Sequence, residues 1–163
     1  MTIPGKRVLN FAGFLACAGM MAFAFYVEYV LYLDPCPLCV LQRLAVIMLG
    51  VVLFVAAAHD PRGWSKYVYA VSAALVTVAG AGVAAWHVRL QHLPSDNLPS
   101  CGPGLDYMLD NFPLGDALKM VFTGSGECAD IAWQLLGLSM PAWVLIALLA
   151  VGGMGVWNNL RRE

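Results

Sequence analysis

Four apolar runs decide what this chain can fold into. Residues 8–27 carry Asn10 as their one strongly polar side chain, residues 44–58 carry none, and residues 68–88 and 140–157 are nearly as apolar. About 20 such residues cross the hydrocarbon core of a bilayer as a helix, and without water only helices and closed barrels satisfy their own backbone there. Composition agrees. Of 163 residues, 61% are hydrophobic and 12% charged, with a mean hydropathy of +0.74, against about 45–50% apolar and about 25% charged in a soluble domain. With 9 Lys and Arg against 10 Asp and Glu, there is no basic excess to neutralise phosphates, so nucleic acid is not an expected partner. The expectation is an all-α integral membrane four-helix bundle, one domain over residues 1–163.

The first run exceeds the 7–15 residues of a signal-peptide core, and no small-residue cleavage site precedes a soluble domain, so it reads as a retained span. The second run, 44–58, is short unless its helix begins near Leu38 to Val40. That gives a span of about 40–58 and brings Gln42 and Arg43 into its first turns, a polar intrusion that requires a reason. The third, 68–88, is rich in Ala and Gly, which let helices approach closely in lipid; it reads as a packed, interior helix. Ser139 is placed to cap the fourth, 140–157, with Pro141 tolerated in the first turn. Lys6 and Arg7, Arg62 and Lys66 in the link 59–66, and Arg161 and Arg162 mark the cytoplasmic side and place both termini there. The loops 28–39 and 89–139 then face the opposite, outer side, which in a bacterium is oxidising.

The segment 89–139 is longer than a bare connection needs, which points to function. Pro94, Pro99 and Pro103 make its first third irregular. Leu114, Ala117, Leu118, Val121 and Phe122 then fall on one face of a short helix. Such a helix either packs on the bundle or lies in the membrane interface, and the spacing leaves both open.

Chemistry resides in the cysteines. Cys17, in the middle of the first span, reads as a small hydrophobe. Cys36, Cys39, Cys101 and Cys128 all fall on the outer side, where disulfides persist. Two structural staples or a four-thiolate zinc site are the plain readings. Cys36-Pro37-Leu38-Cys39 argues against both, because so small a ring constrains little chain entropy. The pair stands at a helix N-terminus, where backbone N–H groups stabilise a thiolate. Arg43 follows Cys39 one turn further in, and at membrane depth it needs an anion: the Cys39 thiolate, a reduced cofactor, or both. Against zinc, the second pair lacks CxxC spacing and no His stands nearby in sequence. No metal site is expected.

Cys101 and Cys128 lie 27 residues apart, and a disulfide between them would be exposed and therefore labile. Two exchangeable pairs on one face suggest a relay of electrons. The chain lacks haem, flavin and iron–sulfur motifs, which leaves a lipid-soluble quinone lying beside Arg43 as acceptor. His87, near the outer end of the third span, is either a hydrogen-bonded interfacial histidine or a group that bonds a quinone oxygen and relays a proton.

These residues resemble the bacterial disulfide bond formation protein B (DsbB) family. The likeness rests on Pro35-Cys36-Pro37-Leu38-Cys39 with Gln42-Arg43, on His87, on Cys101 after a Pro-rich approach, on Ser125-Gly126-Glu127-Cys128-Ala129 leading to Trp133, and on Leu136-Gly137-Leu138 with Met140-Pro141-Ala142-Trp143. It implies an inner-membrane enzyme that reoxidises a periplasmic DsbA-like thiol oxidase and delivers two electrons to ubiquinone or menaquinone. By matching position, Cys101 would form the mixed disulfide with the partner and Cys128 would pair with Cys101. Cys36 would exchange with that pair, Cys39 would contact the quinone, and Arg43 would hold it and support the Cys39 thiolate. Gln42 stands where the best-known member has Glu. Residues 114–122 would be the interfacial helix.

Quinone-linked reductases of the vitamin K epoxide reductase type share a CxxC on a four-helix bundle but imply another cysteine order and lack this outer-loop pattern. A membrane zinc-thiolate or structural protein with non-catalytic disulfides is the competing class. A transporter is disfavoured, since no span carries a mid-membrane charge or an internal Pro.

Overall fold

The computed structural model describes residues 5–92, 112–123 and 133–161. Its elements are α1 (Lys6–Tyr29), α2 (Pro37–His59), α3 (Ser65–Leu90), the short α4 (Leu114–Thr123), strands β1 (Gln134–Leu135) and β2 (Leu138–Ser139), and α5 (Met140–Leu160). Helices α1, α2, α3 and α5 run 21 to 26 residues, about 32–39 Å at about 1.5 Å per residue, enough to cross about 30 Å of hydrocarbon. The molecule is an all-α four-helix membrane bundle. Each long helix extends beyond its expected span; α2 starts at Pro37, next to the start near Leu38 to Val40 that the second span needs, because Cys36 caps it and Pro37 occupies its first turn.

Small residues set the spacing of the helices. A Cβ on Gly80 would lie 2.7 Å from the Ala45 Cβ and 3.0 Å from Leu148 Cδ1, and one on Gly152 would collide with Thr77. Leu53, fully buried, fills the notch between Gly13 and Gly155, where an added Cβ would meet its methyls at 2.8 and 2.7 Å. Cys17 is 2% exposed in a cluster with Val46, Leu49, Leu53, Ala73 and Leu148, the apolar environment expected for it.

The reading of α3 as an interior helix is corrected. Val68, Val71, Leu75 and Val78 are 45–71% exposed, so one face of α3 is open and only its Gly80 and Thr77 face packs closely. Ala and Gly content reports close approach on one side of a helix and says nothing of the other.

At one end of the bundle, buried amides tie α1 to α5. Asn158 donates to the Asn10 side-chain oxygen at 2.9 Å and to the Lys6 carbonyl at 2.9 Å, and Asn10 donates to Asn159 at 3.2 Å. Arg7 donates from Nε to the Ala57 carbonyl at 3.0 Å. Lys6, Arg62, Lys66 and Arg161 line one cleft at this end, so all three basic segments gather there.

The opposite end is roofed. The α4 helix docks through Val121, buried against Leu38 and Leu90, and Trp86 donates to the Phe122 carbonyl at 2.9 Å; of the two open readings for this helix, packing on the bundle is seen. A two-strand antiparallel hairpin pairs Gln134 with Ser139 and Leu135 with Leu138. Its turn places Leu136 at φ 55° and Gly137 at φ 80°, the left-handed pair that a two-residue primed turn requires. Trp143 holds the hairpin by donating to the Leu135 carbonyl at 3.1 Å, and Trp133 meets Phe23 edge-on at 5.5 Å.

Candidate active site

The site begins where α2 begins. Cys36 is the N-cap in extended conformation, and its sulfur accepts the Cys39 N–H at 3.3 Å. Pro37 has no N–H to offer, so Cys39 supplies the first turn with a donor aimed at a sulfur. The two sulfurs lie 2.8 Å apart.

The chain brings two buried polar residues to this pair. His87, 2% exposed in the last turn of α3, directs Nε2 to within 3.7 Å of the Cys36 sulfur. Its Nδ1 lies 2.8 Å from the amide nitrogen of Gln42, itself 3% exposed. The polar intrusion in the second span thereby has its reason: Gln42 fixes the ring of a histidine that faces a cysteine. Two readings stand for His87, a hydrogen-bonded interfacial histidine or a group that bonds a quinone oxygen and relays a proton; its ring bonds Gln42, and its neighbour across the bundle is the Cys36 sulfur.

Arg43 has a carboxylate partner besides the anions expected for it, the Cys39 thiolate or a reduced cofactor. Its guanidinium pairs with Glu28, donates to the Ala24 carbonyl at 3.3 Å, and sits 5.9 Å from the Phe25 ring centre. Glu28 had been assigned to the outer loop; it belongs to the last turn of α1. The available signal was that a costly intramembrane Arg stands one helix away from the single carboxylate in α1.

These groups open into a cavity of about 370 Å³. Met20, Met21 and Phe23 of α1, Val46 of α2, Trp143 and Val144 of α5, and Trp133 beside the hairpin form its apolar wall. Cys36, Cys39, Asp34, Gln42, Arg43, His87 and Gln91 supply its polar lining. A mostly apolar cleft with few convergent polar groups suits a small flat ligand. The thiols and His87 also bring three metal-ligating atoms within 4.8 Å of one another. Cys101 and Cys128, expected as the second pair, lie outside the described residues.

Comparison with known proteins agrees with this geometry. The family model described as disulfide bond formation protein DsbB matches residues 6–158. The chain is 51% identical over 152 residues to the disulfide bond formation protein B of Nitrosococcus oceani, covering 93% of this chain and 90% of that one. It is 48% identical over 152 residues to that of Hahella chejuensis, covering 93% and 91%. It is also 45% identical over 164 residues to that of Methylococcus capsulatus, covering 99% and 100%. A CxxC at a helix start, inside a membrane bundle and matched by the family model over residues 6–158, has one reading: the chain belongs to the DsbB family of disulfide-forming membrane oxidoreductases.

Proposed function

We propose that this chain is an inner-membrane thiol:quinone oxidoreductase, with its CxxC end in the periplasm, that reoxidises a soluble DsbA-like dithiol. The observation that carries the reading is the Cys36–Cys39 pair opening from a helix N-terminus into an apolar cavity, beside His87 and Arg43. Cys101 takes the attack of the soluble dithiol and Cys128 leaves as thiolate. That thiolate attacks Cys36 in the oxidised Cys36–Cys39 pair and releases Cys39 as thiolate. The partner's second thiol then resolves the mixed disulfide, which leaves the partner oxidised and frees Cys101; Cys101 attacks Cys128 in the Cys36–Cys128 bond, restoring the Cys101–Cys128 disulfide and leaving Cys36 and Cys39 reduced. Two electrons and two protons have then entered from the substrate dithiol.

The cavity fits the head group of ubiquinone or menaquinone. Its aromatic and Met side chains would pack on a ring, and Cys39 and Arg43 would hold the polar end of the head group. When bound, a quinone supplies a two-electron, two-proton acceptor. The chain's own residues do the rest. Glu28 keeps Arg43 oriented toward the cavity rim, the Cys39 N–H at the helix start holds the Cys36 sulfur, and His87, once the Gln42 amide turns over so that Nε2 is the unprotonated nitrogen, takes the proton of Cys36 and passes it on.

Anaerobic mixing of the oxidised protein with a reduced DsbA-like dithiol and a soluble quinone analogue tests this. Quinone absorbance should fall in proportion to thiols lost, and Cys101→Ser and Cys39→Ser should each stop turnover. An unchanged quinone spectrum with all four outer cysteines still oxidised overturns the reading, as does stoichiometric zinc held by the four thiols.

A further inference from the structure

We propose that the reduced Cys36–Cys39 pair and His87 together form a binding site for a soft divalent cation of the Zn²⁺ type, whose binding holds the pair in its dithiol state. Sequence spacing argued against a metal here because no histidine stands near the CxxC. The fold supplies one from 51 residues away.

Geometry favours it. The two sulfurs and a ring nitrogen of His87 all lie within 4.8 Å of one another. Tetrahedral zinc, with bonds of about 2.3 Å to sulfur and about 2.0–2.1 Å to nitrogen, sets ligand S···N near about 3.5 Å and S···S near about 3.8 Å. The Cys36 sulfur and His87 Nε2 are 3.7 Å apart and already fit. The sulfurs, 2.8 Å apart, must part by about 1 Å to reach the tetrahedral spacing, a movement that repulsion between two thiolates favours. All three residues line the cavity, which leaves a fourth position for water, as in zinc sites that are not structurally closed.

Charge points the same way. Two thiolates and a neutral imidazole around a divalent ion sum to zero, the one arrangement of these charges that an apolar cavity accepts without a large desolvation cost. Loading exchanges two thiol protons for the ion and moves no electrons. Its occupation in cells rests on the relay proposed above, because only the reduced pair can bind; the binding itself does not.

Gln42 decides how well His87 can serve. With the amide nitrogen toward Nδ1, as found at 2.8 Å, Nε2 carries the hydrogen and donates toward Cys36. With the amide turned over, its oxygen accepts from Nδ1–H and the Nε2 lone pair faces the sulfurs. A glutamine permits both states, whereas a carboxylate enforces the second, the arrangement that raises the affinity of ligating histidines.

The test is an anaerobic titration of the full-length protein, reduced with a phosphine, using Co²⁺ as spectroscopic probe and Zn²⁺ as competitor. We expect one Co²⁺ per chain with a thiolate-to-metal charge-transfer band, in the wild type and equally in the Cys101→Ser/Cys128→Ser variant, and none in the oxidised protein. Affinity should vanish in Cys36→Ser, fall at least tenfold in His87→Ala, fall about 10–100-fold in Gln42→Leu, and rise in Gln42→Glu. The rise is a change that mere loss of packing cannot produce. No band in the reduced protein, undiminished affinity in His87→Ala, or loss of binding in the Cys101→Ser/Cys128→Ser variant overturns the proposal. Failure of the relay reading shows separately, as metal-free protein that leaves quinone unreduced while this titration still succeeds.

Discussion

Arg43 and Glu28 illustrate how a single residue position acquires meaning from a neighbour on another helix. Both side chains are about one-fifth exposed, so the pair falls between an exposed ion pair, about 0–1 kcal/mol, and a buried one whose breakage costs about 3–5 kcal/mol. Glu28→Gln is expected to lower stability by an amount between those limits, read as a fall in Tm in detergent. At His87, removal of a proton acceptor worth about 10²-fold or more should slow electron delivery from the Cys36–Cys39 pair. Exchange between Cys101 and a soluble dithiol should be untouched. Single-turnover measurement of the two steps checks it; equal slowing of both removes His87 from the inner step.

At the scale of elements, the controlling feature is how closely α3 and α5 approach. Gly152 lies against the β-branched Thr77, which cannot swing away as a long side chain can. Gly152→Ala should therefore cost about 1–3 kcal/mol through overpacking. Gly153→Ala, on the same helix with nothing within 4 Å of the added carbon, should be neutral. Thr77→Ala should rescue the first and do nothing for the second, a coupling that a double-mutant cycle measures by thermal unfolding. The hairpin is an element that local pattern concealed. Two strands of two residues have no alternation to detect, and Leu136 at positive φ lacks the Asn-Gly or Asp-Gly signal that announces a primed turn. It is held by Trp143 and by its pairing, both supplied from outside the turn.

Taken whole, the molecule separates its work between its two ends. One end carries the buried Asn10, Asn158 and Asn159 amides and the basic cleft; the other carries the thiols, His87 and the cavity. Asn10→Leu should leave the amides of Asn158 and Asn159 short of a partner at a cost of about 1–3 kcal/mol, lowering Tm while cysteine reactivity at the far end stays as in the wild type. Altered thiol reactivity in that variant would mean that the helices transmit displacement along their length.

The sequence by itself determined the solvent, the four helices and the placing of the CxxC at a helix start, because each depends on local quantities: run length, hydropathy, and where the cysteines stand before an apolar run. Even the anomaly of Gln42 and Arg43 in the second span was legible as a demand for partners. Which partners was not legible. Glu28 reaches Arg43 across 15 residues and His87 reaches Gln42 across 45, and nothing in periodicity encodes how one helix is rotated against another. Only packing settles that rotation, through Gly80 on Ala45, Leu53 between Gly13 and Gly155, and Gly152 on Thr77. The same packing leaves one face of α3 open where composition had suggested burial, and turns a histidine on one helix and a glutamine on another into one site around a cysteine.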